Sequence, residues 1–529
     1  MDPSKVAAFV VACLIFYRII NVAVKLLKIT LLSDYPLRAE DLPSLPIVGH
    51  AYLFVGSTET ILNRVIGIGH MYPTSFRFSI GYNSLFCATS PEHLKLILHS
   101  SKTVERNNFY EYARPWMGDG LITAPGSIWE VHRKLLQPFF NTMVLKSFVE
   151  IFTTQSVILA KKIEQHLDGP EFEISRYVSL CTLDAICETA TGIKLEAQES
   201  NSCQYEEASH KVMVGYVKRA ASPWLYSDFI FYRTQLGKDE KKHIKFMHEL
   251  TDNVIRKKKA EIVQHSDSRV SVDNEQGSAD ISMAAPQLLI DNLLRLSGDN
   301  EVLTDKMVRD HIDSIMVAGS DTTATTVNYL MLMLASHQDI QDKVYQELCE
   351  NFGENVSDDD GEELPITMEV LARMTYMDRV IKETIRLFPV VCLVFRKATE
   401  DLDLGQFTLP RGSSIALNFI GVHRSEKYWP DPLKFDPDRF LPERFAQQEP
   451  YSYLPFGGGR RNCIGSKYAV MFMKIIVATI LRKYVLTKDE VVPVEDLRLK
   501  MDFVLKPVDP ITLRIQRRPK RKSESTLRT

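Results

Sequence analysis

The stretch FGGGRRNCIG at residues 456–465 is the most informative part of this chain of 529 residues. It places a single cysteine, Cys463, in a glycine-rich loop beside Arg460 and Arg461, and an apolar, helix-like stretch follows it. Glycines let the backbone approach a flat, bulky group closely and adopt dihedral angles that other residues avoid. Adjacent arginines and a following helix start both favour a thiolate, so we expect a lowered pKa for the Cys463 thiol. A shielded thiolate of this kind is a good axial ligand for haem iron.

The loop resembles the haem-binding signature F-x-x-G-x-R-x-C-x-G of the cytochrome P450 superfamily. All of its fixed positions match, and they are Phe456, Gly459, Arg461, Cys463 and Gly465. Taken alone, the loop could also be a glycine turn before a buried free cysteine. The resemblance extends over residues 42–515 through further motifs in the same order. It implies a mainly α-helical fold with small β-sheets, in which a long central helix crosses over haem b.

The composition excludes several classes of function. The apolar and charged fractions are ordinary for a globular protein, and a net charge of -3 argues against nucleic acid as a principal partner. Eight cysteines are scattered without a C-x-x-C pair, which argues against a zinc site or a disulfide framework. This cysteine usage favours a reducing compartment such as the cytosol. The length allows either several domains or one large domain with a deep core.

The amino terminus carries a candidate membrane anchor. Residues 6–17 form an unbroken apolar run, and Arg18 separates it from a shorter apolar segment that ends before Lys25. The two segments together reach the roughly 20 residues needed to span a bilayer only if the Arg18 side chain extends toward the interface. Basic residues follow the run, so the positive-inside rule places the rest of the chain in the cytosol. We predict a single anchor within residues 1–30, with an interfacial amphipathic helix as the alternative, and the resemblance implies the endoplasmic reticulum membrane.

A long helix that is apolar nearly all round is predicted over residues 304–337, and it contains the sequence AGSDTT at 318–323. A glycine, an acid and hydroxyl groups are costly inside a buried apolar helix unless they have a task. Gly319 would leave room for a planar ligand, Thr322 could bond a ligand on iron, and Asp321 could relay protons. The motif resembles the A-G-x-D-T-T of the P450 family, which serves oxygen activation. The alternative is a packing glycine and a threonine bonded back to a carbonyl group.

Trp129 and Arg133 are four residues apart and therefore lie on one face of a predicted helix. An indole N–H and a guanidinium that point the same way could hold an acidic group, whereas a cation–π contact at the surface is the alternative. In the P450 family this W-x-x-x-R pair reaches the haem propionates. Arg396 and His423 match two further family positions that contact a propionate. The resemblance therefore implies that these residues bind the acidic edge of haem.

Glu383 and Arg386 lie three positions apart on a predicted helix that ends at a proline. They resemble the family's E-x-x-R pair, which is buried and structural and takes no part in catalysis. Its third member in the family is an arginine in a segment that corresponds here to residues 435–440, which points to Arg439. Arg444, in a partly similar sequence just after that segment, is the alternative.

Several segments are predicted to lie outside the chemistry. Residues 264–285 and 355–363 are polar and poor in large apolar residues, so we expect two polar loops, the first of them disordered. After Ile515 the chain becomes basic, which predicts a disordered tail over residues 516–529 that lies near anionic lipid. The predicted catalytic domain therefore covers residues 31–515.

The segments that would line a substrate pocket are mainly apolar, which predicts a lipophilic substrate. They are residues 109–121, 217–232, 311–318, 390–395 and 503–504. We expect the aromatic cluster within 223–232 to belong to the core. The alternative, which the resemblance suggests, is a cap over the substrate channel that touches the bilayer.

Within the superfamily the chain looks closest to the animal microsomal branch that contains fatty-acid ω-hydroxylases, and to arthropod members in particular. Many of those hydroxylases carry a glutamate that can bind haem covalently, at the position where this chain has Ala318. We therefore expect non-covalent haem and do not assign ω-hydroxylation of fatty acids.

The resemblance implies a monooxygenase that inserts one atom of dioxygen into a lipophilic substrate and releases the other as water. We find no dinucleotide fingerprint, so NADPH would act indirectly, through a separate NADPH–cytochrome P450 reductase in the same membrane. Cytochrome b5 is a second candidate donor, and a basic face near Arg133 and Lys134 could dock the reductase. A haem-thiolate isomerase or dehydratase and a non-catalytic haem-binding protein are the alternatives. Asp321 and Thr322 favour the monooxygenase.

Overall fold

The computed structural model of the protein describes residues 45, 49–72, 74–80, 83–200, 203–270, 288–298, 303–353 and 365–519. The predicted anchor, the polar loop at 355–363 and the end of the chain beyond 519 lie outside the described residues. Most of the segment 264–285 does so too, but its first residues, 264–270, form the end of a helix and not a disordered loop. Among the described residues, no helix is both long enough and apolar enough to cross a membrane.

The fold is mainly α-helical, as predicted. The α-helices are Thr58–Met71, Pro91–His99, Arg114–Met117, Gly126–Leu136, Thr142–Ser147, Val149–Ile163, Ser175–Thr191, Ala197–Ser200, Gln204–Ala221, Asp228–Phe231, Gln235–Val270, Leu289–Gly298, Asp305–Ser336, Gln338–Phe352, Met368–Arg373, Thr375–Leu387, Phe419–His423, Pro442–Phe445 and Ser466–Lys483. Several begin at a residue whose side chain accepts a hydrogen bond from a first-turn N–H, among them Ser57, Ser90 and Thr304. Such caps satisfy backbone donors that have no partner inside the helix.

The described part of the chain contains four small β-sheets beside its helices. The largest has the strand order Phe76–Ile80, Asn83–Ala88, Ser414–Asn418 and Leu393–Lys397. Its middle pair is parallel and its two outer pairs are antiparallel, and Arg396 lies opposite Ile415. The second sheet has the order Phe172–Glu173, Thr512–Arg517 and Tyr484–Thr487. Two-stranded hairpins pair Leu499–Asp502 with Val504–Pro507, and Leu402–Asp403 with Thr408–Leu409.

The helix Asp305–Ser336, here called the central helix, crosses the core as predicted. All residues of 310–317 and 323–335 are buried, whereas residues 318–322 are half-buried. The ring of Tyr329 stacks on Phe388 with 4.3 Å between centroids, which joins the central helix to the helix that carries Glu383. The half-buried polar segment 318–322 lies between two fully buried parts of the helix, and it is therefore in the interior of the domain.

The folded domain continues past the predicted boundary at residue 515. Gln516 and Arg517 belong to the strand Thr512–Arg517. Arg518 is buried, and its guanidinium donates to the carbonyl oxygen of Leu481 at 3.0 Å. The first basic residues of the predicted tail are therefore part of the fold, because a backbone ladder and buried hydrogen bonds hold them.

Candidate active site

The loop that carries Cys463 is fixed by its own backbone. The N–H of Cys463 donates to the carbonyl oxygen of Phe456 at 2.9 Å. Gly457 and Gly459 both have positive φ, of 68° and 64°, which side chains other than glycine rarely adopt. A Cβ at Gly459 would also lie 2.5 Å from the carbonyl carbon of Leu98, so only glycine fits there. The signature glycine therefore lets the loop lie directly on the end of the helix Pro91–His99.

The electrostatics of Cys463 differ from the prediction. Burial raises the pKa of its thiol, although the Gly465 N–H and the charge of Arg133 act in the opposite direction. Arg460, expected to lower this pKa, instead pairs with Glu130 at 2.8 Å. The Cys463 side chain is nonetheless exposed. Because enough protein surrounds it for burial to dominate its pKa, we infer that the thiol lies in a concave site. A cation bound there would remove the thiol proton, since a coordinating thiol is deprotonated.

The helix Gly126–Leu136 holds the cysteine loop from the side. Arg133 donates to the backbone oxygen of Asn462 at 2.9 Å and to its side-chain oxygen at 3.0 Å. The Arg461 guanidinium lies 4.7 Å from the centre of the buried Trp129 ring and donates to the carbonyl oxygen of Ala124 at 2.6 Å. A cation–π contact is therefore present at Trp129, but its cation comes from the cysteine loop and not from Arg133.

Three guanidinium groups gather beside the loop: those of Arg106, Arg396 and Arg461, here called the arginine cluster. Arg106 and Arg396 are bridged through their backbones, and both Arg396 and Arg461 are affected by the charge of Arg106. Burial and this repulsion lower the pKa of Arg396 strongly and that of Arg461 to about 9. Within the described part of the chain, Nε and Nη1 of Arg461 are buried without a hydrogen-bond partner. Buried cations with free donors require an anion.

The polar segment of the central helix presents an acid and an alcohol. The Thr322 hydroxyl donates to the carbonyl oxygen of Ala318 at 2.6 Å. Asp321 pairs through Oδ1 with Nζ of Lys506, from the strand Val504–Pro507, at 2.7 Å. Asp321 Oδ2 is buried and has no hydrogen-bond partner among the residues that the structure describes.

A family model for cytochrome P450 matches residues 40–514. The chain belongs to the cytochrome P450 family. Cytochrome P450 4c3 of Drosophila melanogaster is 34% identical over 481 residues, which cover 89% of this chain and 88% of that protein. Cytochrome P450 4V2 of Homo sapiens is 33% identical over 476 residues, with 89% and 88% covered. The heme domain of a cytochrome P450DA mutant superposes with a TM-score of 0.75 at 21% identity, covering 91% of this chain and 98% of that one, and shows the shared fold.

This P450 is therefore a haem-thiolate monooxygenase that uses a redox partner and a lipophilic substrate. The residues described above fit haem on two independent grounds. Cys463 offers an accessible thiol in a concave site, and the arginine cluster offers buried cations for the carboxylates at the edge of the macrocycle. The chemistry of the donor set thus matches both the iron and the propionates of haem b.

Gly319 packs closely against a neighbouring helix, and its role beside a planar ligand stays a prediction. A Cβ at this position would lie 2.6 Å from Cδ1 of Ile186, on the helix Ser175–Thr191. The glycine therefore allows close contact between two helices of the P450 core. This is the packing role that was the alternative for the motif, and it holds because the helix rotation turns Gly319 toward its neighbour.

His423 is also placed differently from the prediction. Its Nε2 accepts the backbone N–H of Leu454 at 2.7 Å, and its carbonyl oxygen accepts from Arg386 at 2.9 Å. Complete burial and the charge of Arg386 lower the pKa of His423 to about 3, so the imidazole is neutral. A neutral ring that is bonded to the backbone beside the E-x-x-R pair is a structural residue and not a propionate ligand.

Glu383 and Arg386 form a fully buried, bidentate pair with N–O distances of 2.7 and 2.8 Å. Arg439 lies 3.4 Å from the same carboxylate, while the alternative, Arg444, pairs with Asp436 at an exposed site. Arg386 also donates to three backbone carbonyl groups, two of them in the segment before Arg439. The network therefore fixes the chain that leads into the cysteine loop, at the cost of burying several charges.

The aromatic cluster at 223–232 is not core throughout. Phe231 is fully buried, but Trp224, Phe229 and Ile230 are exposed to 62%, 67% and 48%. The prediction that this segment belongs to the core is wrong for those three residues. Exposed large apolar side chains in one short segment mark a surface that contacts something apolar.

Two functional residues were missed from the sequence, Arg106 and Lys506. Arg106 lies in no motif, and the sheet edge brings it to Arg396 from 290 residues away along the chain. Lys506 is 185 residues from Asp321 and lies next to the predicted pocket segment 503–504. The sequence signal for Lys506 is the acid in an apolar helix, because a buried carboxylate requires a counter-ion.

Proposed function

We propose that Cys463 is the axial ligand of a non-covalently bound haem b, in an enzyme that oxygenates lipophilic small molecules with electrons from a separate NADPH-dependent reductase. The observation that carries the proposal is the accessible Cys463 side chain in a concave site beside the arginine cluster. When bound, the haem supplies dioxygen activation, which the thiolate ligand promotes. The protein supplies binding, orientation and protons.

The residues around the cysteine loop divide into two roles. Arg396, Arg461 and Arg106, with the Trp129 indole, would hold the haem carboxylates through charge-assisted hydrogen bonds. Arg133 acts on the loop itself, since its guanidinium is bonded to Asn462. Non-covalent binding follows from Ala318, which has no carboxylate to form an ester.

Asp321 and Thr322 would carry protons. Thr322 Oγ1 uses its own proton in the bond to Ala318, so its oxygen remains free to accept one. Asp321 Oδ2, which has no partner among the described residues, can provide that proton when protonated. An acid–alcohol pair at the half-buried segment of the central helix supports a reaction that consumes protons, and the isomerase alternative has no use for it.

The segments that we propose to line the substrate pocket carry aromatic and aliphatic side chains, which supports a lipophilic substrate. Phe109 and Phe395 contact edge to face at 5.4 Å, and Tyr216 and Phe503 do so at 5.6 Å. Val391, in the predicted lining segment 390–395, is 45% exposed. Apolar walls exclude water from the reacting atoms and bind hydrocarbon chains or rings through burial of their surface.

The location that fits best is the endoplasmic reticulum membrane, with the catalytic domain facing the cytosol. The predicted anchor within residues 1–30 supports it, and so do the exposed side chains of Trp224, Phe229 and Ile230. NADPH–cytochrome P450 reductase is the proposed electron donor, with cytochrome b5 as a second donor. Arg133 and Lys134 lie on the helix that contacts the cysteine loop and offer a cationic docking face.

The test is the reduced CO-difference spectrum of membranes that contain the chain, compared with Cys463→Ser and, as a matched control, Cys349→Ser. A strongly red-shifted Soret band that is lost only in Cys463→Ser would support the proposed ligand. A band that persists in Cys463→Ser would refute it. Turnover of dodecane, dodecanoic acid and farnesol with reductase and NADPH would then test the substrate class, and NADPH-independent turnover of a fatty-acid hydroperoxide would favour the isomerase.

A further inference from the structure

Asp313, on the central helix, is an acid inside the protein without a cation to balance it. It is 0% exposed, and its Oδ2 has no hydrogen-bond partner among the residues that the structure describes. In the same ranges the only basic side chain at ion-pair distance is His248, whose Nε2 lies 3.6 Å from Oδ2. That nitrogen donates instead to the carbonyl oxygen of Trp116 at 2.8 Å. A buried carboxylate without a cation is so costly that the group keeps its proton.

The contact between Asp313 and Thr251 also supports a neutral acid. Thr251 is fully buried on the helix Gln235–Val270, here called the flanking helix. Its Oγ1 lies 2.6 Å from Asp313 Oδ1 and 3.2 Å from the carbonyl oxygen of Met247. A hydroxyl group has one proton to donate and can accept another through its oxygen. Both contacts are satisfied together when the hydroxyl donates to Met247 and accepts the proton of a neutral Asp313.

The charged side chains around Asp313 already have partners of their own. Arg309, one turn earlier on the central helix, pairs with Asp252 of the flanking helix at 3.0 Å. Asp310, also on the central helix, pairs with Lys306 at 2.8 Å. Neither cation is therefore free to neutralise an ionised Asp313.

The titration of Asp313 is set by its burial. Burial raises the pKa of Asp313 to about 8, although the bond with Thr251 and the charge of Arg309 act in the opposite direction. The remaining titratable side chains around Asp313 and its neighbour Tyr205 are neutral at pH 7, because burial disfavours their charged forms. They are His248, Tyr205, Cys187 and Cys203. Asp313 is therefore the member of this group that changes its charge just above neutral pH.

The flanking helix makes two contacts from one face at this point. His248 and Thr251 are three residues apart, so their side chains lie on the same side of the helix. Thr251 meets the central helix, and His248 meets Trp116 in the predicted lining segment 109–121. The bond at Thr251 therefore lies where the flanking helix joins both the central helix and one wall of the predicted pocket.

We propose that Asp313 is a neutral latch, whose hydrogen bond with Thr251 holds the flanking helix on the central helix until the carboxyl group gives its proton to solvent. Deprotonation leaves an anion in the interior while Arg309 remains with Asp252, and two nearby acids repel it. The flanking helix then moves away so that water reaches the carboxylate, and segment 109–121 is released with it. The inference goes beyond the proposed function, because it assigns a pH-dependent change of conformation to the fold itself.

The first experiment measures hydrogen–deuterium exchange by mass spectrometry on the full chain as purified, between about pH 6 and pH 9, with correction for the intrinsic exchange rate. We expect exchange over residues 244–255 and 109–121 to become several-fold faster as the pH rises through about 8. Asp313→Asn keeps the shape and a donor without a charge, and it should remove this step. The matched control is Glu240→Gln, which removes another buried acid of the flanking helix and should keep the step. A step that persists in Asp313→Asn, or is lost only in Glu240→Gln, would overturn the latch.

The same data separate the latch from an ion pair between an ionised Asp313 and a protonated His248. For such a pair, Asp313→Asn and His248→Gln would both loosen the flanking helix already at about pH 6, where histidine begins to titrate. For the latch, Asp313→Asn should match the wild type at this pH and exchange several-fold more slowly than the wild type at about pH 9. Faster exchange of Asp313→Asn at the lower pH would therefore refute the neutral acid.

If Asp313→Asn does not fold, substitutions of Thr251 decide. Thr251→Val has nearly the same volume and removes the hydroxyl group, so residues 244–255 should exchange several-fold faster even at about pH 6. Thr251→Ser keeps the hydroxyl group and should remain close to the wild type. Wild-type exchange in Thr251→Val would show that this hydrogen bond does not hold the flanking helix, and the proposal would fail. None of these measurements uses the haem, so their outcome is independent of the proposed role of Cys463.

Discussion

Replacing Gly459 by alanine should abolish the cysteine site, whereas the same change at Gly457 should only weaken it. Both glycines lie in the loop before Cys463 and have nearly the same positive φ, of 64° and 68°. They differ in the space that a methyl group would find. At Gly457 the closest atom would be Cζ of Phe419 at 4.0 Å, which is an ordinary contact. At Gly459 the methyl group would lie 2.5 Å from the carbonyl carbon of Leu98 and closer still to its oxygen.

The size of each effect follows from these two observations. A left-handed backbone conformation costs a residue with a Cβ about 1–2 kcal/mol, so Gly457→Ala should lower the free energy of unfolding by that amount. Gly459→Ala carries the same cost and must also move backbone, since Cβ atoms essentially never approach closer than 3.0 Å. The loop would have to move by roughly 1 Å away from the helix Pro91–His99, and displacements of that size at a catalytic group reduce rates by about a hundredfold.

The assay compares both variants with the wild type by the CO-difference spectrum and by thermal unfolding of the haem-loaded protein. We expect Gly457→Ala to keep the red-shifted band at a lower unfolding midpoint. Gly459→Ala should lose the band or shift it to the position of a haem without thiolate. If Gly459→Ala keeps a normal band and a midpoint equal to that of Gly457→Ala, the contact with Leu98 does not position the loop and the reasoning is wrong.

Two further predictions concern buried charges. Arg386→Met leaves the carboxylate of Glu383 buried without its bidentate partner and should lower the free energy of unfolding by about 3–5 kcal/mol, whereas Arg444→Met, at an exposed pair, should lower it by about 0–1 kcal/mol in the same denaturant titration. Burial raises the pKa of Glu240 to about 7. The contribution of its protonated form to the free energy of unfolding is therefore complete below the pKa of a free glutamate, and it is lost as the pH rises through about 7. At pH values above 7, Glu240→Gln should therefore raise the free energy of unfolding by on the order of 3 kcal/mol, and near pH 4 it should have little effect; an equal gain at both pH values would contradict this cause.

The sequence alone was enough for features that depend on residues close together in the chain. The cysteine loop is one, because its geometry rests on glycines with positive φ and on the bond from Cys463 to Phe456. The pair of Glu383 and Arg386 is another, since a spacing of three on a helix already brings the side chains together. The central helix was predictable from its length and its apolar faces.

Features that depend on distant neighbours could not be predicted in the same way. The direction of Gly319 is set by Ile186 on another helix, and the partner of His423 is the backbone of Leu454. A motif specifies which residue occupies a position, but the rotation of its helix against a neighbour decides what that residue contacts. The pKa of Cys463 was predicted with the wrong sign for the same reason: the loop arginine Arg460 turns to Glu130, and burial exceeds the remaining charge effects.

The two sides of the active site are held by different kinds of interaction, and this has a consequence for which changes each side tolerates. On the side of Cys463 the constraints are backbone dihedral angles and backbone contacts, which few substitutions can satisfy. On the side of Asp321 the constraint is the ion pair to Lys506, on a two-stranded hairpin. Its turn residue, Phe503, belongs to a predicted lining segment of the substrate pocket and also contacts Tyr216. Under the proposed role of Asp321, a change of side chain at Phe503 should displace Lys506 and alter proton delivery, and the geometry at Cys463 should stay the same. Substrate preference and coupling efficiency should for this reason vary together in variants of the hairpin, while the CO-difference spectrum remains constant.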